Sequence, residues 1–255
     1  MKKPIIKVYR FTFMHMNMKF LLFLGMMAVG LSSYGQHKAS IVVDPEMYLA
    51  DLKTVMQKEW PQNRTINIVF HGHSVPSGYF KTPQVSTLSA YPALVHKKIK
   101  SLYPFAVVNV IVTAIGGENS IQGAERFESE VLNHKPDIVF IDYGLNDRRP
   151  GLEKSYTAWN QMIKQAKDKG VKVLLLTPSP DQSVDYSSID NELKKHTEQI
   201  IQLAITHQVG LVDSYQAFEF LYSDAEELAK YMSQVNHPNE RGHELIAIKI
   251  LDYFK

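Results

Sequence analysis

The sequence has no cysteine among its 255 residues, which excludes disulfide bonds, thiolate metal ligands, a cysteine nucleophile and a lipid-anchored N-terminal cysteine. It also lacks low-complexity runs and internal repeats. Hydrophobic residues make up 45% and charged residues 21%, the composition of a globular protein with a sizeable core rather than of a collagen, a coiled coil or a disordered chain. Any covalent catalysis must therefore use another nucleophile.

Residues 1–35 have the pattern of a secretory signal peptide. Lys19 is followed by an apolar run at residues 20–31 and then by Ser33-Tyr34-Gly35, which puts small residues at positions −3 and −1 of a cleavage site. The run is shorter than the roughly 20 residues that a membrane-spanning helix needs. We expect export to the periplasm or the medium and no membrane partner after cleavage. An uncleaved anchor and a true start at Met18 are the alternatives.

The charge that remains after cleavage bears on the partners. The whole chain has 28 basic and 26 acidic residues, whereas the first 35 residues contain five basic and no acidic ones, so the remainder has a net charge of −3. Binding to phosphates needs a basic surface. We therefore expect no nucleic-acid partner.

Residues 36–255 alternate between strand and helix patterns. Apolar, β-branched runs predict strands at Thr65–Phe70, Ala106–Val112, Asp137–Tyr143, Val171–Thr177 and Val209–Val212. Apolar residues spaced three and four apart predict helices at Ala90–Leu102, Ile121–Leu132, Leu152–Lys169, Ile189–His207 and Glu240–Tyr253. Alternation with right-handed crossovers predicts one α/β domain, a three-layer α/β/α sandwich around a doubly wound parallel sheet.

Ligands of such sheets bind beyond the carboxyl ends of the strands, so the segments that follow the strands are the candidate functional segments. After the first strand, Ser74 lies in a turn bracketed by Gly72 and Gly78, where its hydroxyl would be held at the sheet edge. Serine also caps helices commonly. The motif alone therefore leaves both a nucleophile and a helix cap open.

Three further segments carry groups suited to acyl transfer. Gly116 and Gly117 follow the second strand and can expose backbone N–H groups, and Asn146 follows the third strand and offers a neutral amide donor. A plain loop and an Asx turn are the ordinary alternatives. His237, held extended by Pro238, can take a serine proton and return it to a leaving group. Four such segments in one chain are difficult to attribute to chance.

These segments resemble the four sequence blocks of the SGNH, or GDSL-type, hydrolase superfamily over nearly all of residues 36–255. The resemblance implies a flavodoxin-like fold and esterase activity without a metal or organic cofactor. Matched residue by residue, it implies Ser74 as the nucleophile and an oxyanion donor through its N–H, Gly117 and Asn146 as the other oxyanion donors, and His237 as the general base.

Two positions depart from the family pattern, and we expect both to contact substrate. The first block usually reads Gly-Asp-Ser, whereas the middle residue here is His73, which places an imidazole beside the nucleophile. The family's acidic residue stands three positions before the histidine, where this chain has Gln234. Three explanations remain open: a dyad oriented by Gln234 or by a backbone carbonyl, a carboxylate such as Asp213 or Asp224, or loss of activity.

The expected function is hydrolysis of short acyl esters. O-acetyl groups on carbohydrate are favoured over lipid because the sequence shows no amphipathic lid segment. Five aromatic residues could stack on sugars, although core positions explain them more simply: Tyr79, Phe80, Tyr91, Tyr143 and Trp159.

Three other interpretations compete with this one. An α/β-hydrolase fold is disfavoured because its nucleophile follows several strands, whereas Ser74 follows the first. A metal-dependent hydrolase built on His71, His73, His237 and His243 lacks an accompanying cluster of acidic residues. A catalytically weakened SGNH module that binds glycans is supported by Gln234 alone.

Overall fold

The computed structural model describes residues 42–255. The signal peptide expected in residues 1–35 lies outside the described residues. Within the described range, every helix is too short or too polar to cross a membrane.

One parallel sheet runs through the centre of the protein. Its strands are β1 (Thr65–Gly72), β2 (Val107–Val112), β3 (Ile138–Asp142), β4 (Lys172–Leu176) and β5 (Gly210–Val212), in the spatial order β2-β1-β3-β4-β5. All neighbouring pairs are parallel. The chain runs from β1 outward to β2 and then back past β1 to β3, so the predicted doubly wound sheet is confirmed. The direction changes between β1 and β3, which is where ligands of such sheets bind.

Successive residues of the central strands face opposite sides of the sheet, and both sides are buried. In β3, Ile138 and Phe140 pack in the core on one side, whereas Val139 and Ile141 pack in the core on the other. A strand with two buried faces must be apolar throughout rather than alternating. This is the pattern that predicted the strands from the sequence.

Helices cover both faces of the sheet. The described residues form α1 (Pro45–Tyr48), α2 (Ala50–Met56), α3 (Ser74–Ser77), α4 (Tyr91–Leu102), α5 (Ser120–Glu125), α6 (Phe127–Glu130), α7 (Leu152–Asp168), α8 (Glu192–His207), α9 (Ser214–Ala217), α10 (Ala225–Ala229) and α11 (Glu240–Leu251). Helices α2, α4 and α11 pack on one face, and α5, α7 and most of α8 pack on the other. A short antiparallel hairpin of β6 (Met232–Gln234) and β7 (His237–Pro238) precedes α11.

The predicted helices differ from the observed ones mainly at two places. The helix predicted over residues 121–132 is divided at Arg126, which has a non-helical backbone with φ −104° and ψ 4°. The Arg126 guanidinium is held there by the carboxylates of Glu118 and Glu130, partners that apolar spacing does not reveal. The helix predicted from residue 189 begins only after Asn191, whose side chain caps it.

Candidate active site

The turn after β1 presents Ser74 at the sheet edge. Gly72 ends β1, and a Cβ at this position would lie 2.4 Å from the carbonyl oxygen of Asp142, so the close approach of the two segments requires glycine. Ser74 then begins the short helix α3, and Gly78 ends it at a φ of 89°. This sharp strand-to-helix turn is the geometry expected for an exposed nucleophile.

Ser74 forms a hydrogen-bonded pair with His237 of β7. Ser74 Oγ lies 2.9 Å from His237 Nε2, and His237 Nδ1 lies 2.9 Å from the carbonyl oxygen of Phe80. Because a carbonyl oxygen only accepts, Nδ1 must carry the proton of the neutral ring and donate it to Phe80. Nε2 is then free to accept from the Ser74 hydroxyl. The arrangement is that of a serine paired with a general base.

No carboxylate lies within salt-bridge distance of His237 among residues 42–255. Gln234 pairs with His237 across the hairpin, but its Oε1 accepts a hydrogen bond of 3.0 Å from the N–H of Thr82. Asp213 and Asp224 cap α9 and α10 instead. Of the explanations that the sequence left open, the geometry therefore favours a dyad oriented by a backbone carbonyl.

The surroundings of His237 favour its neutral form. Burial lowers the pKa of His237 below its ordinary value of 6.5, the neighbouring His73 ring lowers it further, and the hydrogen bond to Phe80 partly opposes the change. A histidine serves as a base only while neutral. The ring therefore stays neutral to a lower pH than an unperturbed histidine does.

The loop after β2 and the turn after β3 are fastened together beside Ser74. Three hydrogen bonds join them: Asn146 Nδ2 to Glu118 O at 2.7 Å, an Arg149 guanidinium nitrogen to Gly117 O at 3.1 Å, and Ser120 N to Asp147 Oδ1 at 2.8 Å. Asp147 is fully buried, and it also accepts a 2.6 Å hydrogen bond from the indole of Trp159. The loop is thus positioned before any substrate binds.

Potential oxyanion donors line the resulting cleft. Gly117 has a φ of 84°, a backbone conformation that favours glycine, and no atom lies within 4 Å of where its Cβ would stand. In the described part of the chain, the N–H groups of Ser74 and Gly117 have no acceptor. Asn146 retains one amide hydrogen beyond its bond to the Glu118 carbonyl.

The cleft has a volume of about 320 Å³. Its walls consist of Ser74, Tyr79, Thr82, Gly116, Gly117, Asn146, Arg149, Gln234, Asn236 and His237. Six residues were expected from the sequence to act in catalysis or to contact substrate. Five of them line this cleft: Ser74, Gly117, Asn146, Gln234 and His237. The sixth, His73, does not line the cleft.

His73 lies beneath the turn that carries Ser74 rather than in the cleft. Its ring is fully buried, its Nδ1 accepts from the N–H of Val75 at 3.2 Å, and its Nε2 lies 3.4 Å from Asp142 Oδ1. The other oxygen of Asp142 accepts from the hydroxyl of Tyr91. His73 caps α3, and its side chain points into the protein. The position of His73 therefore does not support the expected contact with substrate.

The histidines of the metal-site alternative are dispersed. His71 is hydrogen-bonded to Thr113 and to the carbonyl of Gly123, and His243 accepts from the N–H of Tyr91. Between residues 42 and 255, no group of three or more metal-ligating side chains is close enough to share an ion.

Sequence reasoning missed several features of the cleft. The most important is the Phe80 carbonyl, which carries no sequence signal because every residue has a carbonyl. Arg149 and Asn236 were also missed, although each adjoins a recognised block. Of the aromatic residues considered for sugar stacking, Tyr79 lines the cleft, whereas Tyr91 and Trp159 are fully buried.

Comparison with known proteins supports the interpretation of these segments. Residues 70–245 match the GDSL-like lipase/acylhydrolase family, a stretch that includes both Ser74 and His237. The chain is 22% identical over 171 residues to an acetylxylan esterase of Geobacillus stearothermophilus, a match that covers 62% of this chain and 78% of the relative. It is 28% identical over 107 residues to thioesterase 1/protease 1/lysophospholipase L1 of Escherichia coli strain K12, and this match covers 41% of this chain and about half (47%) of that protein.

A solved structure has the same fold. The crystal structure of a two-domain esterase active on acetylated mannans superposes with a TM-score of 0.65 at 22% identity, covering 80% of this chain and 51% of the other. At this identity the similarity establishes the architecture alone. The family match extends over more than half of the chain, and on this basis the chain belongs to the GDSL-like lipase/acylhydrolase family and is an ester hydrolase.

Proposed function

We propose that the chain is a serine esterase that removes short acyl groups, above all O-acetyl groups, from carbohydrate. The observation that carries the proposal is the 2.9 Å contact between Ser74 Oγ and His237 Nε2 at the wall of an open cleft. The opposite ring nitrogen is fixed by the Phe80 carbonyl, so the ring is already in the tautomer that a general base requires.

In the proposed reaction, Ser74 Oγ attacks the ester carbonyl carbon while its proton passes to His237 Nε2. The carbonyl oxygen becomes an oxyanion that accepts from the N–H groups of Ser74 and Gly117 and from Asn146 Nδ2. The bond to the alcohol then breaks, and His237 returns the proton to the alcohol oxygen. Water attacks the acyl-enzyme by the same route and releases the acid and free Ser74.

The dyad replaces a triad at a cost in transition-state stabilisation. A carbonyl oxygen orients the ring of His237, but it carries only a partial charge and stabilises the imidazolium less than a carboxylate does. Loss of the acid from other triads lowers turnover but leaves substantial catalysis. We therefore infer an active esterase with a low turnover rather than an inactive binding module.

Two considerations support a carbohydrate ester as substrate. The cleft walls combine the side chains of Thr82, Asn146, Arg149, Gln234 and Asn236, whereas a long acyl chain would need apolar walls. Two of the similar proteins are named for action on acetylated xylan and acetylated mannans. The relative from Escherichia coli carries a lysophospholipase name, so lipid esters are the competing substrates to test.

The proposal includes export of the protein. It rests on the signal-peptide pattern of residues 1–35. N-terminal sequencing of the protein from the periplasm or the medium should find Gln36 first. Intact protein in the cytoplasm would contradict this part of the proposal.

The decisive experiment is labelling with a fluorophosphonate, which reacts with activated serines, followed by peptide mapping. We expect a single labelled serine at Ser74 and no labelling of a His237→Ala variant. A panel of 4-nitrophenyl esters should then show the highest kcat/KM for acetate, with lower values as the acyl chain lengthens. Absence of labelling together with retained glycan binding would favour the binding-module interpretation and contradict ours.

A further inference from the structure

A second cavity adjoins the catalytic cleft and has no role in the reaction described above. We call it the side groove and define it by Asn146, Arg149 and Asn236, which it shares with the catalytic cleft, and by Val184, Asp185 and Ser188, which lie outside that cleft. Its volume is about 530 Å³, within the range of about 300–1,000 Å³ typical of small-molecule sites. The three shared wall residues show that the two cavities lie side by side.

We infer that the side groove binds the carbohydrate alcohol of the ester, the part that leaves when Ser74 is acylated. This inference rests on the proposed function and names the part of the substrate that lies in each cavity. The acyl group occupies the catalytic cleft beside Gly117, and the sugar units next to the scissile bond extend into the side groove.

The direction of proton transfer places the alcohol on this side. His237 must return its proton to the alcohol oxygen, so that oxygen leaves from the side of the imidazole. Asn236 directly precedes His237 and forms part of the wall between the two cavities. An alcohol that departs past His237 therefore meets Asn236 and enters the side groove.

The walls carry polar groups that can bind sugar hydroxyls beside apolar surface on which a sugar ring can pack. Asp185 offers a carboxylate acceptor, and Arg149 offers guanidinium donors at the junction. Arg149 uses one nitrogen to hold the Gly117 carbonyl and forms no salt bridge with any residue of the described range. Its remaining N–H groups are thus free to reach a sugar hydroxyl.

Ser188 allows a test that leaves the catalytic cleft untouched. It lines the side groove but not the catalytic cleft, and its hydroxyl accepts only an exposed turn hydrogen bond from the N–H of Asp190. Ser188→Trp fills the groove, whereas Ser188→Ala removes the same hydroxyl without adding volume. Gln161→Trp, on the exposed face of α7 and outside both cavities, is a second bulky control.

The experiment compares kcat/KM for acetate release from acetylated xylo-oligosaccharides with kcat/KM for 4-nitrophenyl acetate. For Ser188→Trp we expect a fall of about tenfold or more on the oligosaccharide and less than about twofold on the nitrophenyl ester, because only the first substrate needs the groove. Ser188→Ala and Gln161→Trp should stay near the wild type on both substrates. Thermal melting checks that the variants are folded.

Three results would overturn the inference. They are unchanged oligosaccharide hydrolysis in Ser188→Trp, an equal fall in Ser188→Ala, and a fall confined to 4-nitrophenyl octanoate, which would assign the groove to the acyl chain. Wild-type protein that hydrolyses nitrophenyl acetate but no acetylated oligosaccharide would reject the carbohydrate substrate and the inference together. Wild-type protein that neither hydrolyses esters nor reacts with the fluorophosphonate would instead refute the Ser74 mechanism itself.

Discussion

Introducing a carboxylate at position 234 should move the acid limb of the pH–rate profile to higher pH. Gln234 and His237 are partners across the β6–β7 hairpin, and both side chains line the catalytic cleft. Side chains paired in this way have Cβ atoms about 5 Å apart. If the charges also lie about 5 Å apart, attraction between a carboxylate and an imidazolium amounts to about 0.8 kcal/mol in water and about 3.3 kcal/mol at an effective dielectric constant of about 20.

This energy raises the pKa of His237 by between about 0.6 and 2.4, since one pKa unit corresponds to about 1.4 kcal/mol. The cleft is open to water, so we expect a value near the lower end, about 1. The wild-type limb should lie below 6.5, because burial lowers the pKa of His237. The Gln234→Asp limb should lie about one pH unit higher than the wild-type limb. Turnover at pH 8 should be preserved or raised, since the carboxylate also stabilises the imidazolium formed during the reaction.

The assay is kcat/KM for 4-nitrophenyl acetate from pH 4.5 to 8.5 at constant ionic strength, which reports the pKa of the base in the free enzyme. Gln234→Asn is the matched control, because it has the same length as the aspartate and disturbs the same bond to Thr82 without adding charge. Coincident acid limbs for the Asp and Asn variants would refute the placement of position 234 beside the ring. A wild-type limb well above 6.5 would refute the carboxylate-free dyad.

Ser74→Ala should lower ester turnover at least about 10⁴-fold. The variant should lose only about 1 kcal/mol of stability, because the Ser74 hydroxyl has one hydrogen-bond partner. Near-normal hydrolysis would exclude Ser74 as the nucleophile. Asn146→Ala should lower kcat by about 10²–10³ with little change in KM, and an effect on KM alone would indicate ground-state binding instead. Burial lowers the pKa of His243 to about 3, so the folded state keeps this ring neutral while the unfolded state protonates it below about pH 6.5. The stability that depends on the neutral His243 ring is therefore fully present above about pH 6.5. Below that pH, the free energy of unfolding falls by about 1.4 kcal/mol per pH unit. His243→Asn should make urea unfolding less sensitive to pH between 7 and 5, and equal sensitivity would contradict the buried neutral ring.

The centre of the sheet could be predicted because β1, β3 and β4 are buried on both faces. Such strands must be apolar over their whole length, so the runs around Phe70, Phe140 and Leu174 are visible without any knowledge of their neighbours. The helices were less certain where tertiary contacts intervene. The helix predicted over residues 121–132 is interrupted at Arg126 because Glu118 and Glu130 hold the Arg126 side chain. The spacing of apolar residues does not reveal either contact.

The positions of Ser74, Gly117 and Asn146 directly after strands predicted that these three residues meet. In a parallel sheet the carboxyl ends of all strands lie at one edge, so residues that follow different strands converge there. His237 lies in the separate β6–β7 hairpin, and its place beside them was implied by the resemblance to the SGNH superfamily. Their catalytic roles stay predictions, which the labelling and variant experiments above will test.

Only the tertiary structure decided what holds the ring of His237 and where the neighbouring side chains point. The sequence shows that no carboxylate stands three positions before His237, but it cannot show that the Phe80 carbonyl takes that place, because the folding of the loop after α3 determines which backbone group reaches the ring. Likewise, an adjacent position in sequence suggested that His73 faces the substrate, whereas the tight turn directs its ring inward to Asp142. Residue types and their spacing thus determined the sheet and the chemistry gathered at its edge, while side-chain direction and backbone partners depended on packing between segments that are distant in the sequence.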